Sequence, residues 1–151
     1  MEIANLGVLE LLDVRENALS GTLPETLGGL VNLKILNLHR QGVGFTGFIP
    51  TSLGSLVNLI ECRMHENKLT GGIPTEIANM AQLTFLNIVN NVLTGQVPSA
   101  LGNLPVLERF YLSQNQFTGT IPSELCAVAS LAEMVVDCTV SCACCTECIR
   151  L

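Results

Sequence analysis

The chain has no tryptophan, one tyrosine and five phenylalanines in 151 residues. A core built from it must be aliphatic, filled by Leu, Ile, Val and Met rather than by stacked rings. Positive charge is also scarce: seven Lys and Arg stand against thirteen Asp and Glu, a formal net charge of −6. Generic nucleic-acid binding needs a basic footprint for the phosphates, so no nucleic-acid partner is expected. Long apolar runs are missing. The longest weakly polar stretch near the end, CAVASLAEMVV, is broken by Glu133 and is too short to cross a bilayer, so no membrane insertion by this segment is expected. The opening MEIANLGVLE has neither the basic region nor the sustained apolar run of a secretory signal. No asparagine stands in an N-x-Ser/Thr glycan acceptor site.

What the chain does have is periodicity. The pattern Leu9-x-x-Leu12-x-Val14-x-x-Asn17 recurs from Leu33, Leu59, Leu83 and Leu107, and fades from Leu131. The starts lie 24, 26, 24, 24 and 24 residues apart. Between them runs a second signature: LSGTLPETLGGL, FTGFIPTSLGSL, LTGGIPTEIANM, LTGQVPSALGNL and FTGTIPSELCAV. A period of this length indicates stacked units, each unable to bury its apolar face alone.

The spacing dictates one coil. Positions four and six of each repeat share one side of a short strand and point inward, while positions three, five and seven face outward. Asn at position nine suits a tight bend, because its amide can donate to and accept from backbone groups that would otherwise be buried unpaired. The Gly after L-x permits unusual backbone angles, and the Pro sets φ and ends strand pairing. The following x-x-L-G-x-L returns as a short helical turn. This pattern resembles the leucine-rich repeat family, in its plant-type subclass with L-x-G-x-I-P, over almost the whole chain. The resemblance implies an α/β right-handed solenoid with a parallel sheet on the concave face and short helical or 3-10 turns on the convex side. It also implies that the concave face binds a partner.

Two regions are expected: an array of about six coils over 2–137, and a cysteine-rich cap over 138–151. The opening EIANLGVL (Glu2 to Leu9) matches EIANMAQL (Glu76 to Leu83), so the array starts in the middle of a repeat. The expectation is a fragment or the C-terminal part of a longer array, with an unprotected N-terminal edge. The missing leader is then uninformative, and the expected location is secreted or on the extracellular face of a membrane protein.

GVGFTG (Gly42 to Gly47) has the spacing of a dinucleotide fingerprint, but FIP follows it where a helix would have to begin. It reads better as a two-residue insertion, which accounts for the single 26-residue spacing. No cofactor is expected. His39 and His65 share position seven and should stack on neighbouring coils. Glu16, Arg40 and Glu66 run beside them at position eight, and Asp13, Asn37 and Arg63 at position five. A histidine pair near carboxylates could hold a metal, but alternating acids and bases fit a solvated face with cross-strand pairs better. Cys62 sits at an inward position and reads as a small buried hydrophobe. Further along, the face softens, and Phe85 and Tyr111 read as exposed contact anchors, the alternative being that Phe85 packs along the sheet edge with Leu11 and Ile35 at position three. The candidate partner-binding set is Arg15, Asn37, His39, Arg40, Arg63, His65, Phe85, Asn87 and Tyr111. Their mixed polarity points to a protein or peptide partner, or a polysaccharide.

The tail, DCTVSCACCTECIRL, holds five cysteines in eleven residues, and Cys126 lies one repeat segment upstream. The paired knuckles of a zinc site are missing, because the two C-x-x-C spacings, Cys142–Cys145 and Cys145–Cys148, share Cys145, and no βαβ unit accompanies them as in a redox centre. The six cysteines Cys126, Cys138, Cys142, Cys144, Cys145 and Cys148 are even in number, as disulfides require. They could pin the tail across the last coil, with the neighbours Cys144 and Cys145 bonded to different partners. The ending also resembles those of leucine-rich repeat proteins from diatoms and related algae, although Ile149 stands where a further cysteine is common there. No metal site is expected, and no catalytic constellation is present. The functional expectation is a non-enzymatic, receptor-like recognition module. The alternatives are an inhibitor of an extracellular enzyme and a metal-binding protein acting through the tail.

Overall fold

The structure, a computed structural model, describes residues 6–150. Residues 2–5 of the half-repeat that runs from Glu2 to Leu9 therefore lie outside the described residues. Each of the first five coils carries two short strands. They are β1 (Leu11–Asp13) and β2 (Ser20–Thr22), β3 (Ile35–Asn37) and β4 (Gly44–Phe48), β5 (Glu61–Arg63) and β6 (Lys68–Gly71), β7 (Phe85–Asn87) and β8 (Val92–Gly95), and β9 (Arg109–Tyr111) and β10 (Gln116–Phe117). The sixth coil holds β11 (Glu133–Asp137), and the tail adds β12 (Glu147–Ile149).

The odd-numbered strands and β12 form a seven-stranded sheet in the order β1-β3-β5-β7-β9-β11-β12, parallel throughout. Its register aligns like positions of successive repeats, as in Leu12↔Leu36, Cys62↔Leu86 and Met134↔Phe110. Positions four and six therefore stack into one aliphatic core: Leu36, Cys62, Ile88 and Phe110 are fully buried. In the first coil Leu9, Leu12 and Val14 are only partly buried.

The second signature builds a second sheet, which the periodicity did not foretell. β2, β4, β6, β8 and β10 pair in parallel along the side of the solenoid. Its repeated glycine has two reasons to be glycine. Gly47 and Gly71 sit at φ of 75° and 74°, and a Cβ on them would strike Thr22 and Phe48 of the preceding coil. GVGFTG accordingly supplies β4 and no helix start. Beyond each proline, which is extended, the chain makes a 3-10 turn: Glu25–Gly29, Thr51–Ser55, Thr75–Asn79 and Ser99–Asn103. The last coil makes a four-residue α turn, Ser123–Cys126. A Cβ on Gly28, Gly54 or Gly102 would collide with the backbone of the next coil's turn. Cys126 occupies that column in the last coil, where its side chain reaches Cys144 instead.

The coils are joined by the amide at position nine. Asn67 Nδ2 donates to Met64 and His65 carbonyls in its own coil and to Leu38 O in the preceding one. Its Oδ1 accepts the Phe45 N–H, 2.9 Å away, in that preceding coil. Asn91 and Asn115 repeat the arrangement, with Leu69 N–H and Leu93 N–H as donors. Gln41 does the same with one more methylene, reaching Val14 O at 2.7 Å and accepting from Leu19 N–H. The residue just before, at position eight, takes a left-handed conformation in five coils: Glu16, Arg40, Glu66, Asn90 and Gln114, at φ of 54–57°. That bend turns the position-nine side chain inward. It costs on the order of 1–2 kcal/mol at a residue that is not glycine.

In the sixth coil Asp137 takes the place of backbone carbonyls. Its two carboxylate oxygens accept Gln114 N–H at 2.7 Å and Asn115 N–H at 3.0 Å, fifth-coil donors whose counterparts Asn90 and Asn91 give to the Ser113 and Gln114 carbonyls of the next coil. Asp137 is almost fully buried. The tail then extends the seven-stranded sheet: β12 pairs with β11, while Ser141 exchanges backbone hydrogen bonds with Gly119 and Ile121 just past β10. Three disulfides hold it, Cys126–Cys144, Cys138–Cys148 and Cys142–Cys145, and Val140 is buried beneath. The adjacent Cys144 and Cys145 thus do have different partners. Among the described residues no helix is long and apolar enough to cross a membrane.

Replacing Asp137 by Asn turns one acceptor into a donor and leaves a buried N–H unmet, at a cost of about 1–3 kcal/mol. Chemical denaturation of Asp137→Asn should show that loss, whereas Asp13→Asn on the open face should cost less than about 0.5 kcal/mol.

Candidate functional site

The outward positions of the seven-stranded sheet form a face whose charges pair with one another across coils. At position five Asn37 Nδ2 donates to Asp13 Oδ2 (3.1 Å), and Arg63 Nη1 donates to Asn37 Oδ1 (3.2 Å). Arg63 also forms an ion pair with Glu61, and Arg15 with Asp13 at 3.4 Å. At position eight Arg40 lies between Glu66 (3.0 Å) and Glu16 (3.5 Å), and at position two Lys34 meets Glu10 at 2.8 Å. Exposed pairs of this kind each contribute about 0.2–1 kcal/mol. Their larger effect is to hold long side chains in register.

His39 and His65 do stack, with ring centroids 4.1 Å apart and planes 15° from parallel. Both Nδ1 atoms are buried and have no hydrogen-bond partner. Burial lowers the His39 pKa, helped by Arg15 and Arg63. Burial and the neighbouring His39 push His65 down to about 4. The stack is neutral at pH 7. Among the described residues no group of three His, Cys, Asp or Glu is placed to hold a metal ion. Cys62 lies in the core, where burial raises its pKa to about 12, so it offers no thiolate.

The middle of the face is built differently. Phe85 lies between two guanidinium groups, with Arg63 Cζ 5.0 Å and Arg109 Cζ 4.4 Å from its ring centroid. Tyr111 meets it edge-on at 5.2 Å and 76°. The Tyr111 hydroxyl donates to the Glu133 carboxylate, and burial together with that bond raises its pKa. Each cation–π contact adds about 0.5–1 kcal/mol where exposed and more where dry. The side chains of the cluster are therefore held by one another.

The exposure expected of Phe85 is corrected here: it is 5% exposed, because Arg63, Arg109 and Tyr111 cover its ring. Asn37 and His39 are likewise buried, the first between Asp13 and Arg63, the second against His65. Arg15 and Arg40 are exposed, while Arg63, His65, Asn87 and Tyr111 are half-buried. Asn87 is turned back on its own strand end, accepting the Val89 N–H. Arg109 and Glu133 belong to the cluster but fall outside the candidate set. Their only signal in the sequence is shared register: positions three and five of adjacent repeats become neighbours.

The histidine pair gives the face a pH dependence of known sign. A pKa lower in the folded state than the ordinary 6.5 means that the unfolded chain binds more protons between about pH 6.5 and 4. The stability that the neutral stack carries above pH 6.5 is lost as pH falls through that window. With His65 half-buried, solvent screening limits the loss to about 1–2 kcal/mol. Thermal melts from pH 7 to 4 should fall more steeply for the natural chain than for His65→Gln, and parallel curves would contradict the assignment.

Comparison with known proteins agrees with this geometry. The leucine-rich repeat family model matches residues 8–30, 82–104 and 106–128. The sequence matches no curated protein. Among solved structures, the chain is similar to a TDR receptor, with 39% identity and a TM-score of 0.86 over 92% of this chain and 24% of that one. It is similar to the plant peptide hormone receptor RGFR1 in complex with RGF2, at 32% identity and a TM-score of 0.82 over 89% of this chain and 21% of the receptor. The BIR3–SERK2 complex from Arabidopsis thaliana gives 30% identity and a TM-score of 0.69, over 89% of this chain and 74% of that one. The chain spans about a quarter or less of the first two receptors. Register, paired sheets and sequence identity agree: this chain belongs to the leucine-rich repeat family.

Proposed function

We propose that this chain is a recognition module that binds a peptide or protein segment on its concave sheet, acting by binding and not by catalysis. The observation that carries the reading is the cluster Arg63–Phe85–Arg109–Tyr111, which gathers on one strip the residue types that dominate binding energy at interfaces. RGFR1, a similar structure, is solved in complex with RGF2. Within the strip Arg63 and Tyr111 are half-buried, and outside it the half-buried His65 and Asn87 and the exposed Arg15 and Arg40 would set register and selectivity. Buried Asn37 and His39 would act by positioning Arg63 and His65. Three disulfides support a receptor-like or secreted protein in an oxidising compartment. They also leave no tail thiolate for a metal.

The test is selection of linear peptides from a displayed library on the oxidised protein, followed by titration against variants. Arg109→Ala and Tyr111→Ala should each weaken selected peptides by about tenfold or more. Phe48→Ala, exposed on the second sheet, should leave them within about twofold. Peptides that bind all three variants equally would move the site off the concave face.

A further inference from the structure

The tail is held in two tiers, and the tiers differ in how they can be undone. Cys144 is tied to Cys126 on the α turn, and Cys142 to Cys145. These two bonds, with Val140 buried and Ser141 bonded to Gly119 and Ile121, fix the chain up to Cys145. Beyond Cys145 the support changes. No residue from Thr146 to Arg150 is buried. That stretch is held by the pairing of β12 with β11, by the Thr146 hydroxyl and N–H on Met134, by Cys138 N–H on Ile149 O, and by the Cys138–Cys148 bond. Cys138 and Cys148 are both exposed, whereas the four other bonded cysteines are half-buried.

We propose that Cys138–Cys148 is a redox-operated latch that keeps β12 on the edge of the concave sheet. Thiol–disulfide exchange needs access to a sulfur, and this bond offers the most. One thiolate of an external dithiol attacks Sγ of Cys148, the sulfur–sulfur bond breaks, and Cys138 leaves as a thiolate. The second thiol of the reductant then attacks the mixed disulfide and frees Cys148. The reductant ends as its own disulfide, and two electrons and two protons end on Cys138 and Cys148. Once the bond is open, β12 has only the strand pairing and the part-buried Thr146 hydrogen bonds to set against the backbone entropy of five ordered residues, with no buried side chain to help. It leaves the edge, while the other two disulfides keep the rest of the cap in place.

The consequence falls on β11. Its backbone groups from Val135 to Asp137 lose their partner strand and become an open parallel edge. β11 also carries Glu133, the acceptor of the Tyr111 hydroxyl, so the latch adjoins the aromatic cluster of the concave face. The latch is inferred from the cap alone and does not rest on the proposed ligand reading.

The experiment titrates the native protein with a dithiol, maps freed cysteines by alkylation and mass spectrometry, and follows backbone hydrogen exchange. The first two thiols to appear should be Cys138 and Cys148. With them, exchange at the Cys138 and Thr146 amides should accelerate about tenfold or more, while strand amides of β5 and β7 stay unchanged. The double variant Cys138→Ser with Cys148→Ser, which keeps the other two disulfides, should show the same local exchange without reductant. Earlier reduction of either other bond, or a double variant that keeps β12 protected, would overturn the proposal.

Discussion

Everything in this molecule depends on a buried side-chain amide that belongs to two coils at once. Asn67, Asn91 and Asn115 each satisfy carbonyls of their own bend, one carbonyl of the coil before and one N–H of that coil. A coil of about two dozen residues has too little apolar area to stand alone, so its leucines contribute only when a neighbour covers them. Burying them brings the bend into the interior, where unmet backbone groups would be costly. The amide removes that cost and sets the register that brings Leu36 onto Cys62 and Cys62 onto Leu86. Gln41 shows that the requirement is for the amide and its reach, since the longer side chain completes the same bonds.

From that register the outer face follows. Stacked like positions bring Asp13, Asn37 and Arg63 into one hydrogen-bonded row, and Arg63, Phe85 and Arg109 into one stack. The same logic governs the end of the array. The sixth coil must still meet the fifth coil's Gln114 and Asn115 N–H groups, and the Asp137 carboxylate does so with two oxygens in place of the backbone carbonyls used between earlier coils. The disulfide-bound tail then lays a strand where a seventh coil would lie.

The coil plan was legible in the sequence because leucine spacing and the position-nine amide recur at a fixed period. The stacked histidines were legible for the same reason, and so was the inward place of Cys62. Other features set between coils were not. The second sheet arises from how L-x-G segments meet across coils, and the burial of Phe85 from guanidinium groups one coil to either side. The left-handed bends at Glu16, Arg40, Glu66 and Gln114 were hidden because these residue types rarely adopt that conformation. Six cysteines permit fifteen pairings, and only the folded tail selects among them.

The central claim, that each position-nine amide ties its coil to the one before, is tested most directly by native-state hydrogen exchange in Asn91→Ala. Leu69 N–H donates to Asn91, whereas Phe45 and Leu93 N–H donate to Asn67 and Asn115. The account expects the Leu69 amide to lose its protection while Phe45 and Leu93 change only by the common loss of global stability. An equal change at all three amides would contradict it.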